Sequence, residues 1–61
     1  PEDLAVAFEQ NQIAFENYKN FSPSYRKSYL YWLAQAKGEE TRNSRITAII
    51  DLCNQNKKSR D

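Results

Sequence analysis

Between Glu2 and Arg60 only two residues break a helix outright, Pro23 and Gly38. In the stretches they delimit, apolar residues recur three and four positions apart rather than alternating, which is the helical period. Leu4, Ala5, Ala7, Phe8, Ile13, Ala14, Phe15 and Tyr18 make up the first such set. Asn11 interrupts it with a side chain suited to capping a new turn, so the spacing predicts short helices over about 2–9 and 12–19. Ser22-Pro23-Ser24 then offers a serine cap followed by proline at the first helical position, where its missing N–H costs nothing. That opens a helix over about 23–37. Gly38 is expected to close it in the left-handed conformation, and Glu39 and Glu40 suit the positive end of a fourth helix running to about 55. The predicted fold is all-α: two short N-terminal helices packed on a long helical hairpin. Residues 1–55 form one domain, and 56–61 form a charged tail expected to fray.

The buried faces follow from the 100° advance per residue. Tyr25, Tyr29, Trp32, Leu33 and Ala36 share one side of the third helix, with Leu30 at its margin. Ile46, Ile49, Leu52 and Cys53 form the facing stripe on the fourth, flanked by Ala48. The two stripes are expected to meet and to cover Phe8, Ile13, Phe15 and Tyr18. All eight aromatic residues lie between Phe8 and Trp32. They supply the large buried area per residue that a chain of 61 needs, since a domain of this size buries only about 60% of its unfolded surface. Cys53 is expected to be an inert buried thiol.

Composition removes several kinds of chemistry. With no histidine and one cysteine, neither a structural zinc site, an internal disulfide nor a histidine-based nucleophilic pair can be assembled. Glu39, Glu40 and Asp51 are available as carboxylates, yet adjacent glutamates at a helix start complement its dipole, and a chain this short leaves little room for a water-excluding cleft. No catalytic residue, metal or cofactor is therefore expected, and the chain is read as not being an enzyme. No run of 18 apolar residues exists, and the N-terminus lacks the basic and apolar segments of a signal peptide. The chain starts at Pro1 rather than Met, which suggests a domain cut from a longer protein.

Two surface features stand apart from the core. Tyr31 points nearly opposite Leu33, among Lys27, Ser28 and Gln35, and tyrosine is enriched at binding surfaces. Arg42 and Arg45 lie within about 40° of Ile49 on the wheel, at the N-terminal end of the apolar stripe. Residues 1–18 carry a net charge of −4 and residues 19–61 a net of +5. The two arginines are accordingly expected to tie the acidic N-terminal helices, or their carbonyl ends, onto the hairpin. Stacking on Trp32 or a tyrosine is the second option, and an external anion the third.

The run from Ser22 to Lys37, followed by Glu40-Thr41-Arg42 and Arg45-Ile46, resembles the bacterial YdeI/OmpD-associated, or bacteriocin-protection, family. The pattern is S-P-S-x-R-x-x-Y-x-x-W-[IL]-x-x-A-K and then E-T-R-x-x-R-I. Asp3-Leu4 with Phe8, and Ala14-Phe15 with Tyr18, match its upstream segments. Tyr31 stands where a basic residue is more usual. The resemblance implies association with an outer-membrane porin and resistance to antimicrobial peptides or bacteriocins. It also implies a helical module behind another small domain; the compartment does not carry over, the cytoplasm being favoured and the periplasm, described for some members, left open.

The expected function is thus a non-catalytic protein-interaction module with a role in such resistance. Lys27, Tyr31, Lys37, Arg42 and Arg45 are the candidate partner-binding residues, and the expected partner is a protein. The alternative is helix-turn-helix-like nucleic-acid binding through the helix that starts at Glu39. Two acids at that helix start and a net charge of +1 speak against it. Lys57, Lys58 and Arg60 are too few for a polybasic membrane patch.

Overall fold

The computed structural model describes residues 1–60, in which four helices follow one another: α1 (Glu2–Glu9), α2 (Gln12–Asn20), α3 (Pro23–Ala34) and α4 (Glu39–Asn54). The all-α expectation holds, and three of the four helices end within a residue of their expected bounds. The exception is α3, which stops at Ala34 rather than Lys37. In a continuing helix the Trp32 carbonyl would accept the Ala36 N–H. Here that N–H bonds instead to the Leu33 carbonyl at 3.1 Å, and Arg45 of α4 donates to the Trp32 carbonyl at 2.7 Å. A side chain from the next helix thus satisfies the last turn of α3.

Two caps differ from their expected form. Asn11 stands at the N-cap of α2, but its side chain reaches back and donates to the Ala7 carbonyl at 2.8 Å, closing α1 instead of opening α2. Gly38 is not left-handed. Its φ of −140° and ψ of 160° are extended, and it serves as the N-cap of α4, where its carbonyl accepts the Arg42 N–H. The left-handed residue is Asn56, with φ 59°. It follows the C-cap Gln55, and its N–H bonds to Cys53 O while the Lys57 N–H bonds to Leu52 O, both at 2.9 Å. That pair of bonds is the Schellman closure, which asparagine tolerates better than other side-chain-bearing residues.

The core comprises Leu4, Phe8, Ala14, Phe21, Tyr29, Leu33, Ile46, Ile49, Ile50 and Cys53. α4 supplies four of these, and α2 is its most extensive partner, with α3 and α1 contributing less. The hairpin stripes do meet, through Tyr29 and Leu33 on one side and Ile46, Ile49 and Cys53 on the other. Several residues expected in the core are not there. Ile13 is 69% exposed, Tyr25 41%, and Phe15 lies at the rim. On α2 the inward face is Ala14, Asn17, Tyr18 and, just past its end, Phe21, with Ala14 fully buried. A methyl side chain admits the α4 surface where an isoleucine would hold it off, so packing selected the small residue and left Ile13 outside. Asn17 completes the seam by donating to the Cys53 carbonyl at 2.7 Å.

Candidate functional site

Arg42 occupies the first turn of α4 and Asp3 the first turn of α1. Arg42 Nε and Nη2 donate to the two carboxylate oxygens of Asp3 at 2.5 and 3.0 Å, a fork-to-fork pair that clamps the ends of the chain's first and last helices together. The guanidinium holds the Asp3 carboxyl down, from its ordinary 3.8 to about 2. Arg45, one turn on, donates to the Trp32 carbonyl and lays its guanidinium 5.0 Å from the centroid of the Trp32 ring. Both arginines are therefore engaged inside the fold, one on the acidic N-terminal helix and one on the end and indole of α3.

The tail also packs on α3. Its path is set by the turn at Asn56, after which the Lys57 carbonyl accepts a 2.8 Å hydrogen bond from the hydroxyl of the buried Tyr29. Beyond that point Lys58 Nζ lies 5.6 Å from the Tyr25 ring centroid, and the Arg60 guanidinium carbon 4.5 Å from that of Trp32. These are cation–π distances. Lys57, Lys58 and Arg60 of the tail thus contact α3, and Asp61 lies outside the described residues.

The five candidate residues divide. Lys27 and Tyr31, one turn apart on the outer side of α3, are exposed, Tyr31 by 69%. Lys37 is exposed in the link between α3 and α4. Arg42 and Arg45 are half-buried in the contacts above. The structure places Lys58 and Arg60 beside α3, residues that sequence reading assigned only to the tail. Asn56 is the signal that could have found them, since asparagine directly after a helix is the usual substitute for a left-handed glycine.

The remaining surface is chemically plain. An open hollow of about 340 Å³ lies between α1 and α2, lined by Ala5, Phe8, Glu9, Gln12 and Phe15. A second, of about 290 Å³, lies between α2 and α3 and is lined by Tyr18, Pro23, Arg26, Lys27 and Leu30. Phe8 links the first to the core, its ring 5.5 Å from Phe15 and 4.8 Å from Tyr18. Cys53 is fully buried, and desolvation pushes its thiol from 9.0 up to about 11, the opposite of what a nucleophile needs. Among the described residues no three potential metal ligands cluster, and no helix is long and apolar enough to cross a membrane.

Residues 1–56, spanning all four helices and the turn that closes the last, match the model of the family described as bacteriocin-protection, YdeI or OmpD-associated. No curated protein and no solved structure matches the chain.

Proposed function

The chain belongs to the bacteriocin-protection, YdeI or OmpD-associated, family, and from that membership we propose that it is a non-catalytic helical module that binds a protein partner and supports resistance to bacteriocins or antimicrobial peptides. The family match across the whole helical unit is the observation that carries this reading. Two features support it. The one thiol is buried and held protonated, and the exposed Tyr31 is the residue type that binding surfaces favour. The family's description makes an outer-membrane porin the first class of partner to examine.

Deletion of the gene from its native host, with complementation by the full-length protein, tests the role. The expected result is a several-fold fall in the concentration of a cationic antimicrobial peptide or bacteriocin that stops growth, restored on complementation. Unchanged sensitivity across a panel of both agents would remove the resistance role. In-cell crosslinking followed by purification of the protein tests the partner, and recovery of the uncrosslinked monomer alone would remove that part.

A further inference from the structure

Three arginines are half-buried: Arg26, Arg42 and Arg45. Asp3 engages Arg42, and the Trp32 carbonyl and ring engage Arg45. Arg26 is the exception. Among the described residues no salt bridge or hydrogen bond takes up its guanidinium. A partly desolvated cation without a counter-charge is a cost that folds ordinarily avoid. Helical spacing lays out its surroundings. Pro23, Arg26, Lys27 and Leu30 stand at i, i+3, i+4 and i+7 and so share one stripe of α3. With Tyr18 from α2 they line the open hollow of about 290 Å³ between the two helices. Burial raises the Tyr18 phenol above its ordinary 10.0 and the Arg26 charge opposes that rise, so the guanidinium acts on this wall of the hollow. Among the described residues no acid lines it. The chain holds none from Asn17 to Gly38, Glu16 points nearly opposite Tyr18 on α2, and Asp51 lines a separate hollow between α1 and α4.

We propose that this hollow binds the C-terminal residue of a partner protein, an apolar residue whose side chain sits on Tyr18, Pro23 and Leu30 while its terminal carboxylate meets Arg26 and Lys27. This names the chemistry of the partner in the interaction reading above and rests on it. Two properties of the hollow select that occupant. It joins three apolar walls to two cations, and a chain terminus carries an apolar group and a carboxylate on one residue. The planar fork of Arg26 suits a carboxylate, and a charge-assisted pair gains strength where water is partly excluded. The hollow is also small. Its volume of about 290 Å³ lies at the foot of the range of about 300–1,000 Å³ typical of ligand pockets, which suits one residue better than a nucleotide. A bare phosphate would leave the apolar walls uncovered, and an acidic side chain would bring little apolar surface of its own. Lys58 and Arg60 take no part, since they lie over Tyr25 and Trp32.

The test uses the 61-residue chain labelled with ¹⁵N. The probes are the acetylated peptide Gly-Ser-Gly-Ser-Gly-Phe with a free carboxylate, its C-terminal amide, the free acid ending in glycine, an amidated peptide with an internal aspartate, and inorganic phosphate. The expected result is amide shifts at Tyr18, Arg26, Lys27 and Leu30 with the phenylalanine free acid. Its affinity should fall several-fold between 50 and 500 mM salt, at least tenfold on amidation, and at least threefold with glycine in the last place. R26Q should weaken binding at least tenfold with unchanged circular dichroism. K27Q, at an exposed position, should weaken it at least threefold and decides the matter if R26Q unfolds. No shifts at millimolar free acid, or shifts confined to residues 39–46, would overturn the proposal. Equal binding of the internal aspartate would overturn it in favour of an acidic side chain, and equal binding of phosphate in favour of a simple anion site. Concentration-dependent shifts at these four residues without any probe would overturn it in favour of a second copy of the chain. R26Q introduced into the native host separates the two readings. Resistance lost on deletion yet full in R26Q would leave the family role standing and refute the hollow.

Discussion

Asp3 and Arg42 form a bidentate ion pair, and its consequence is a pH dependence of stability. The native carboxyl lies at about 2, below its ordinary 3.8, so its stabilising contribution is present above the unfolded value and is lost as pH falls through the native one. D3N and R42A should each lower stability at neutral pH. Each should also flatten the decline of the urea midpoint between about pH 5 and 2, with the double variant no worse than the more damaging single one. Cys53 works in the opposite direction. Its thiol is raised to about 11, so its contribution is complete below the unfolded value of 9.0 and fades as pH rises through the native one. A thiol-labelling reagent should react with native Cys53 only as fast as the chain opens, and at once in concentrated guanidinium. Immediate labelling of the native protein would contradict the burial described here. The placement of Arg42 and Arg45 beside the apolar stripe was legible from the helical wheel. Their acceptors were not, because Asp3 lies 39 residues from Arg42, and the Trp32 carbonyl is backbone whose availability depends on where α3 stops.

At the scale of the helices, the two ends of α4 make separate predictions. Gly38 caps its start with an extended backbone, no side-chain hydrogen bond and open space where a Cβ would stand. G38S should therefore stabilise the protein by about 0.5–1 kcal/mol, from a capping hydroxyl and a less flexible unfolded chain. Chemical denaturation measures it, and a loss of stability would be incompatible with an extended backbone and open space at this position. At the other end Asn56 is left-handed, so N56A should cost about 1–2 kcal/mol while N56G should be neutral or mildly stabilising. The fluorescence of Trp32, which Arg60 contacts, reports whether the tail stays in place. Equal effects of the two substitutions would remove the left-handed turn from the account. Helix starts were readable at Ser22-Pro23 because capping is a matter of adjacent residues. The end of α3 was not, since it depends on a donor from the next helix.

For the molecule as a whole, stability rests on few fully buried side chains, and Ile49 is among them. I49A should cost about 2–5 kcal/mol. A domain of this size is held by only about 3–9 kcal/mol, so I49A should lose much of its helical circular dichroism at 25 °C. I49V should cost about 0.5–1.5 kcal/mol and remain folded. A fully folded I49A would mean that α4 contributes less to the core than its burial indicates. The same thin core explains why α2 presents Ala14 rather than Ile13. With so little volume to fill, close approach of the backbones protects more surface from water than one larger side chain would.

Helical periodicity, the breakers at 23 and 38, and the Trp-to-Lys and Glu-Thr-Arg blocks were enough for four helices, an all-α fold and the family, because each is written in residues a few positions apart. The side of α2 that is buried, the end of α3 and the course of the tail came from packing instead. Each turns on a contact between distant parts of the chain: Ala14 in the core beside α4, Arg45 against the Trp32 carbonyl, and Tyr29 against Lys57. The wheel places a residue on a face of its own helix, but the face that another helix comes to cover is selected by how closely the two surfaces fit.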